Sequence, residues 1–141
     1  MSNLPSGTVT FLFTDIEGST QWWEQHPEWM SHAFTRQETI LRAAATARNG
    51  YVYKMIGDAF QIAFDTALDA LAAAIEAQRA LYAERWGEFG PLRVRMALHT
   101  GVTEERSDDY VGPVLNRLGR LLSGEPGRTN PAHPGDLRVG M

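Results

Sequence analysis

A chain of 141 residues, 43% hydrophobic and 21% charged, has the size and composition of one folded domain and excludes an extended disordered polymer. Its 13 basic and 17 acidic side chains leave a net charge of -4, which argues against nonspecific nucleic-acid binding, since that needs phosphates neutralised by Lys and Arg. The absence of cysteine excludes disulfides, thiolate metal sites and thiol catalysis, and no apolar run approaches the roughly 20 residues that span a bilayer.

The opening Met1-Ser2-Asn3-Leu4-Pro5 has no basic run leading into an apolar one, so a cytoplasmic domain without a secretory leader is expected. Val9 to Phe13 is apolar at alternate and intervening positions alike, which predicts a strand covered on both faces. Ser19 and Thr20 are N-cap types, and Gln21 to Arg48 reads as helix with a break at His26-Pro27, because the residue before proline avoids the helical region. Asn49-Gly50 stops it. Tyr51–Ile56 and Ala59–Phe64 then form a predicted hairpin, its Gly57-Asp58 connection suiting a tight type II′ turn. Asp65 is the expected cap of a helix running to about Arg85, with Leu68, Leu71, Ala72, Ile75 and Tyr82 as its apolar stripe. Leu92, Val94, Met96 and Leu98 alternate with Arg93, Arg95, Ala97 and His99, the pattern of a half-buried strand. Gly112-Pro113 opens a last helix carrying Leu115, Leu118 and Leu122.

That order predicts an α+β fold, a ferredoxin-like βαββαβ antiparallel sheet covered by helices. Residues 1–123 form the predicted domain, and the Gly- and Pro-rich residues 124–141 read as an irregular tail.

Two aspartates stand out by position. Asp15 closes the first strand and Asp58 sits at the hairpin tip, so a first strand paired beside the hairpin brings both carboxylates to one sheet edge. Hard oxygen donors there suit Mg²⁺ and leave room for substrate phosphates, and the Gly18-Ser19-Thr20 turn into a helix adds free backbone N–H groups that attract phosphate. The alternative is ordinary turn and cap chemistry for each Asp. Lys54, the only lysine beside twelve arginines, falls on the face of Val52 and Ile56 if the strand alternates regularly. It is then either a solvated head on an apolar stem or a donor to a polar group or a base edge. Asn116 and Arg120, four apart, share one helix face, either as a solvated surface or as part of a site with Asp109. The four histidines show no metal-ligand spacing, and the four tryptophans read as core or interface anchors.

Taken together, these segments resemble the class III adenylyl/guanylyl cyclase catalytic domain, in its small bacterial form, over about residues 7–123. The resemblance is carried by Gly7-Thr8-Val9-Thr10-Phe11-Leu12-Phe13-Thr14-Asp15-Ile16-Glu17-Gly18-Ser19-Thr20, by Lys54-Met55-Ile56-Gly57-Asp58, by Arg95-Met96-Ala97-Leu98-His99-Thr100-Gly101, and by the spacing of Asp109, Asn116 and Arg120. It implies that Asp15 and Asp58, with the Ile16 carbonyl, hold two divalent cations, Mg²⁺ or Mn²⁺. It implies that Lys54 and Asp109 read the purine of ATP, that Asn116 orients the ribose and that Arg120 offsets charge on the reacting phosphate. Conversion of ATP to 3′,5′-cyclic AMP and pyrophosphate in a head-to-tail homodimer follows, with no role for nucleic acid or membrane. An inactive nucleotide-binding or dimerisation module, and a guanylyl cyclase, are the alternatives. The resemblance also implies further strands after the Arg120 helix, so a shortened sheet with an uncovered edge is expected.

Overall fold

In the computed structural model, which describes residues 4–106, 109–111, 115, 122 and 136–140, the first strand lies inside the sheet. β1 (Gly7–Ile16) is followed by α1 (Ser19–Gln25), α2 (Pro27–Ala47), β2 (Tyr51–Ile56), β3 (Ala59–Phe64), α3 (Ala67–Ala83), β4 (Val94–Arg106), β5 (Asp109–Val111) and β6 (Asp136–Gly140). The strand order is β2-β3-β1-β4, and the outer edge of β4 carries β6 along its first half and β5 at its end. Among the described residues, all pairings are antiparallel except β4 with β6. The α+β class and the expected order of the first elements are both present.

The two faces of β1 explain its continuous apolar run. Leu12 and Ile16 pack under the helices with Met30, Leu41, Phe60 and Met96. Val9, Phe11 and Phe13 face the other way, against Ala63, Ala97, Tyr110 and Leu122. β4 is therefore buried on both sides as well: Ala97 and His99 join Val94, Met96 and Leu98 in the interior, where a half-buried strand was expected. The reason is that both faces are covered: Val94, Met96 and Leu98 join the helix-side core, and Ala97 packs with Phe11, Phe13, Tyr110 and Leu122 on the other face.

Local signals behave as their chemistry dictates, with three corrections. The His26-Pro27 break divides α1 from α2, and Asn49, at φ 58°, follows the last turn of α2, where the Gly50 N–H donates back to the Ala45 carbonyl at 2.8 Å. The cap of α3 is Thr66, not Asp65; its hydroxyl accepts from the Asp69 N–H at 3.1 Å. The expected apolar stripe of α3 is also on the wrong side. Leu68 and Tyr82 are 76% and 65% exposed, whereas Ala70, Ala73, Ala74, Ala77, Gln78 and Leu81 face the core. Small side chains let this helix sit close to its neighbours, and the buried Gln78 is satisfied by donating to the Val94 carbonyl at 2.8 Å. Tryptophans 22, 29 and 86 pack against the core as expected; Trp86 donates to the Leu81 carbonyl at 3.0 Å and Trp29 to the Trp86 carbonyl.

The third correction is at the end of the chain. The stretch 124–141 is not wholly irregular, because Asp136–Gly140 pairs parallel with Arg95–His99. Five residues after Pro134-Gly135, the last of them Gly140, carry too short a pattern to read locally. The edge of β4 supplies their partner, so that edge is covered where an open one was expected. The remainder of 124–141 lies outside the described residues.

Candidate active site

β3 runs antiparallel beside β1 with Phe60 opposite Thr14, and this register carries the Gly57-Asp58 turn to the level of Ile16. Gly57 has φ 59°, a left-handed conformation that glycine adopts without strain and that suits the first position of the expected turn. The Ser19 side chain, the Ile16 backbone and the Arg95 charge all act to lower the Asp58 carboxyl, and the Asp15 charge acts to raise it. Burial, more than the neighbouring Asp15 charge, pushes its carboxyl above the ordinary range, against the opposing pull of Ser19, Ile16 and Arg95. The two aspartates are thus brought together at one rim, as the sequence anticipates.

Asp15 stands opposite Arg95 in the β1–β4 ladder. Arg95 donates from Nε to Oδ1 at 2.8 Å and from Nη2 to Oδ2 at 2.7 Å, a planar two-point contact. Sequence reasoning missed this partner. Its signal was an arginine in an apolar strand, but naming Asp15 as its mate requires the register between segments eighty residues apart.

Gly18, at φ 68° and ψ 25°, occupies the N-cap of α1, and no side chain caps the helix. Ser19 is therefore its first residue rather than its cap. Thr20 is exposed on the next position. A cleft of about 380 Å³ opens beside this turn, lined by Glu17, Gly18, Gln21, Trp22, Pro91 and Arg93 among others. It includes Gly18 but neither aspartate, so it does not coincide with the acidic rim.

A second pair of predicted residues meets on the sheet face opposite α2 and α3. Lys54 Nζ lies 2.6 Å from Asp109 Oδ2, and Asp109 Oδ1 accepts from the Tyr110 N–H at 2.8 Å. Burial acts to raise the Asp109 pKa, but the Lys54 hydrogen bond, the Tyr110 N–H and the Lys54 charge outweigh it and hold the carboxyl below its ordinary value. Regular alternation would place Lys54 beside Val52. A β-bulge between Val52 and Lys54 shifts the register instead, so Val52 opposes Ile62 while Lys54 opposes Gln61, on the other face. The expected sharing of a face with Val52 is corrected by this one inserted residue.

Tyr53, the inserted residue, is the other side chain that sequence reasoning missed. Its ring meets Phe11 and Tyr110 edge-on at centroid distances of 6.0 and 4.7 Å, and Phe11 meets Tyr110 at 4.9 Å. Tyr53 Oη also contacts Gln61 Oε1 at 3.1 Å, and Tyr110 Oη donates to the Pro5 carbonyl at 2.7 Å. Burial raises the Tyr53 pKa further above its usual range, so the phenol stays neutral. These three rings carry β2 and β5, at opposite ends of the strand order, to each other across β1. Asn116 and Arg120 lie outside the described residues; Leu115 and Leu122, which bracket them, are helical, and Leu122 is buried against the same apolar face.

Among the described residues no three His, Cys, Asp or Glu side chains converge on a metal position. The donor set at the rim nevertheless fits a hard divalent cation whose remaining ligands are water and phosphate oxygens. Two carboxylates share it, one is raised by burial and by the other's charge, and a guanidinium already serves as a cation on Asp15.

Residues 1–110 match the sequence family described as the adenylate and guanylate cyclase catalytic domain. The chain is 40% identical over 119 residues to an uncharacterized protein of Mycobacterium tuberculosis, covering 83% of this chain and 39% of that protein. It is 33% identical over 144 residues to the adenylate cyclase of Schizosaccharomyces pombe, covering 84% of this chain and 8% of the yeast enzyme. Its fold superposes on an adenylate cyclase of Trypanosoma brucei, solved in a monomeric state, with a TM-score of 0.77 and 28% identity over 84% of this chain and 70% of that one. Asp15, Lys54, Asp58, Arg95 and Asp109 all lie within the matched residues, and the chain belongs to the adenylate and guanylate cyclase catalytic domain family.

Proposed function

We propose that this domain is a nucleotide cyclase that uses ATP, forming 3′,5′-cyclic AMP and pyrophosphate at sites shared between two copies in the cytoplasm. The observation that carries the reading is the Lys54–Asp109 pair, held at 2.6 Å by a bulge and three packed rings although its members lie far apart in sequence. An ammonium donates to adenine N1 and a carboxylate accepts from the N6 amino group. Guanine offers a donor at N1 and an acceptor at O6, so this pair favours adenine.

The ribose 3′-oxygen attacks the α-phosphorus in line, the bond to the β-phosphate oxygen breaks, and pyrophosphate departs. Two divalent ions held by Asp15, Asp58 and the Ile16 carbonyl would ease ionisation of the 3′-hydroxyl and steady the leaving oxygens. The protein's own part is positioning and charge compensation. Gly18, Ser19 and Thr20 bring backbone N–H groups near the phosphates, Asn116 orients the ribose, and Arg120 offsets charge on the reacting phosphate. Replacing Arg120 with Ala is expected to lower turnover by about 10²–10³, as loss of a charge-stabilising donor does elsewhere.

The test is purified protein with ATP or GTP and Mg²⁺ or Mn²⁺, following cyclic nucleotide and pyrophosphate together. Equal amounts of cyclic AMP and pyrophosphate are expected. Product from GTP alone would reassign the base, and saturable ATP binding without product would make the domain a nucleotide-binding module.

A further inference from the structure

The Asp15–Arg95 contact has the geometry of a site occupied by its own counter-ion. The two residues are direct neighbours across the β1–β4 ladder, and their side chains are only 21% and 27% exposed. The guanidinium engages both oxygens of Asp15. We propose that Arg95 is the cation that a divalent metal must displace from Asp15, so that this residue sets the metal concentration at which the acidic rim loads. The inference rests on the metal reading given above.

A carboxylate offers about four lone-pair positions, and a forked guanidinium takes one on each oxygen. The positive charge then opposes the approach of a second cation to the same group. Guanidinium keeps its proton throughout the accessible pH range, so no deprotonation relieves this competition. Burial strengthens it, because the contact is screened less than one in open water. Arg95 is also fixed to a strand buried in the sheet, so its head group stays within reach of Asp15 after release. A purely structural cross-strand tie would stabilise the fold in the same way but leave metal affinity unchanged.

Calorimetric titration of Mn²⁺ into the full 141-residue chain, without nucleotide, separates these roles. Wild type is compared with Arg95→Met, which removes the charge, with Arg95→Lys, which keeps charge but loses the fork, and with Asp58→Ala. Arg95→Met is expected to tighten Mn²⁺ binding about tenfold, the worth of releasing one charge-assisted contact at a partly exposed position. Arg95→Lys should fall between it and wild type, and it carries the test if the methionine variant does not fold. Asp58→Ala should weaken binding. Equal or weaker binding by both Arg95 variants, while Asp58→Ala still weakens it, overturns the counter-ion role and leaves the metal reading standing. Wild-type binding that Asp58→Ala does not change overturns the metal reading, and this inference with it.

Discussion

Asp58 carries two opposed demands in one side chain. Its folded carboxyl binds a proton more tightly than the unfolded one, chiefly because burial disfavours the charge. The native state then holds the extra proton between the ordinary aspartate pKa of about 3.9 and the raised folded value, so stability falls as pH rises through that window and stays lower above it. Asp58→Asn removes this penalty. Metal-free thermal melts should show the variant more stable than wild type at pH 7, with the difference vanishing below about pH 4. The same variant should lose turnover. A melting temperature lower than wild type at neutral pH would contradict the reading of Asp58 as a group kept charged for function. Asp15 and Asp58 were marked in the sequence by a strand end and a turn, whereas Lys54 stood out only as the sole lysine and was paired with Asp109 only through the family resemblance. Arg95 and Tyr53 were not marked, since what they do depends on a strand register and on a bulge.

Elements were legible where their ends are chemical and obscure where their faces are. The helix break at His26-Pro27, the stop at Asn49-Gly50 and the hairpin turn are each dictated by one or two residues with restricted backbones. The buried face of α3 is dictated by what it packs on, and large apolar residues pointed to the wrong side. Ala74 is fully buried while Leu68 is 76% exposed. Ala74→Leu should therefore cost about 1–3 kcal/mol through overpacking, and Leu68→Lys should change stability by less than about 0.5 kcal/mol. Urea unfolding of both variants checks the pair; the reverse ranking would restore the stripe read from the sequence. Tyr53→Ala tests the bulge in the same assay. Loss of its edge-on ring contacts with Phe11 and Tyr110 should cost about 2–3 kcal/mol, toward the lower end for an aromatic that is only partly buried.

At the scale of the whole molecule, the sheet is assembled from partners distant in the chain, and that is what a single sequence conceals. β6 became a strand because β4 has an edge to offer, and β2 met β5 because three aromatic rings draw them over β1. The proposed reaction adds one more level of assembly. In it the acidic rim of one copy faces the purine, ribose and phosphate groups of another, so each two-fold pair holds two equivalent sites. Asp58→Ala damages the first half of every site and Arg120→Ala the second. Cyclic AMP formation by an equimolar mixture of the two variants is the most direct measurement of this arrangement. Each heterodimer regains one intact site, so about a quarter of wild-type turnover should return from two variants that each retain about a hundredth or less alone. No recovery, in a mixture shown to contain heterodimers, would contradict it.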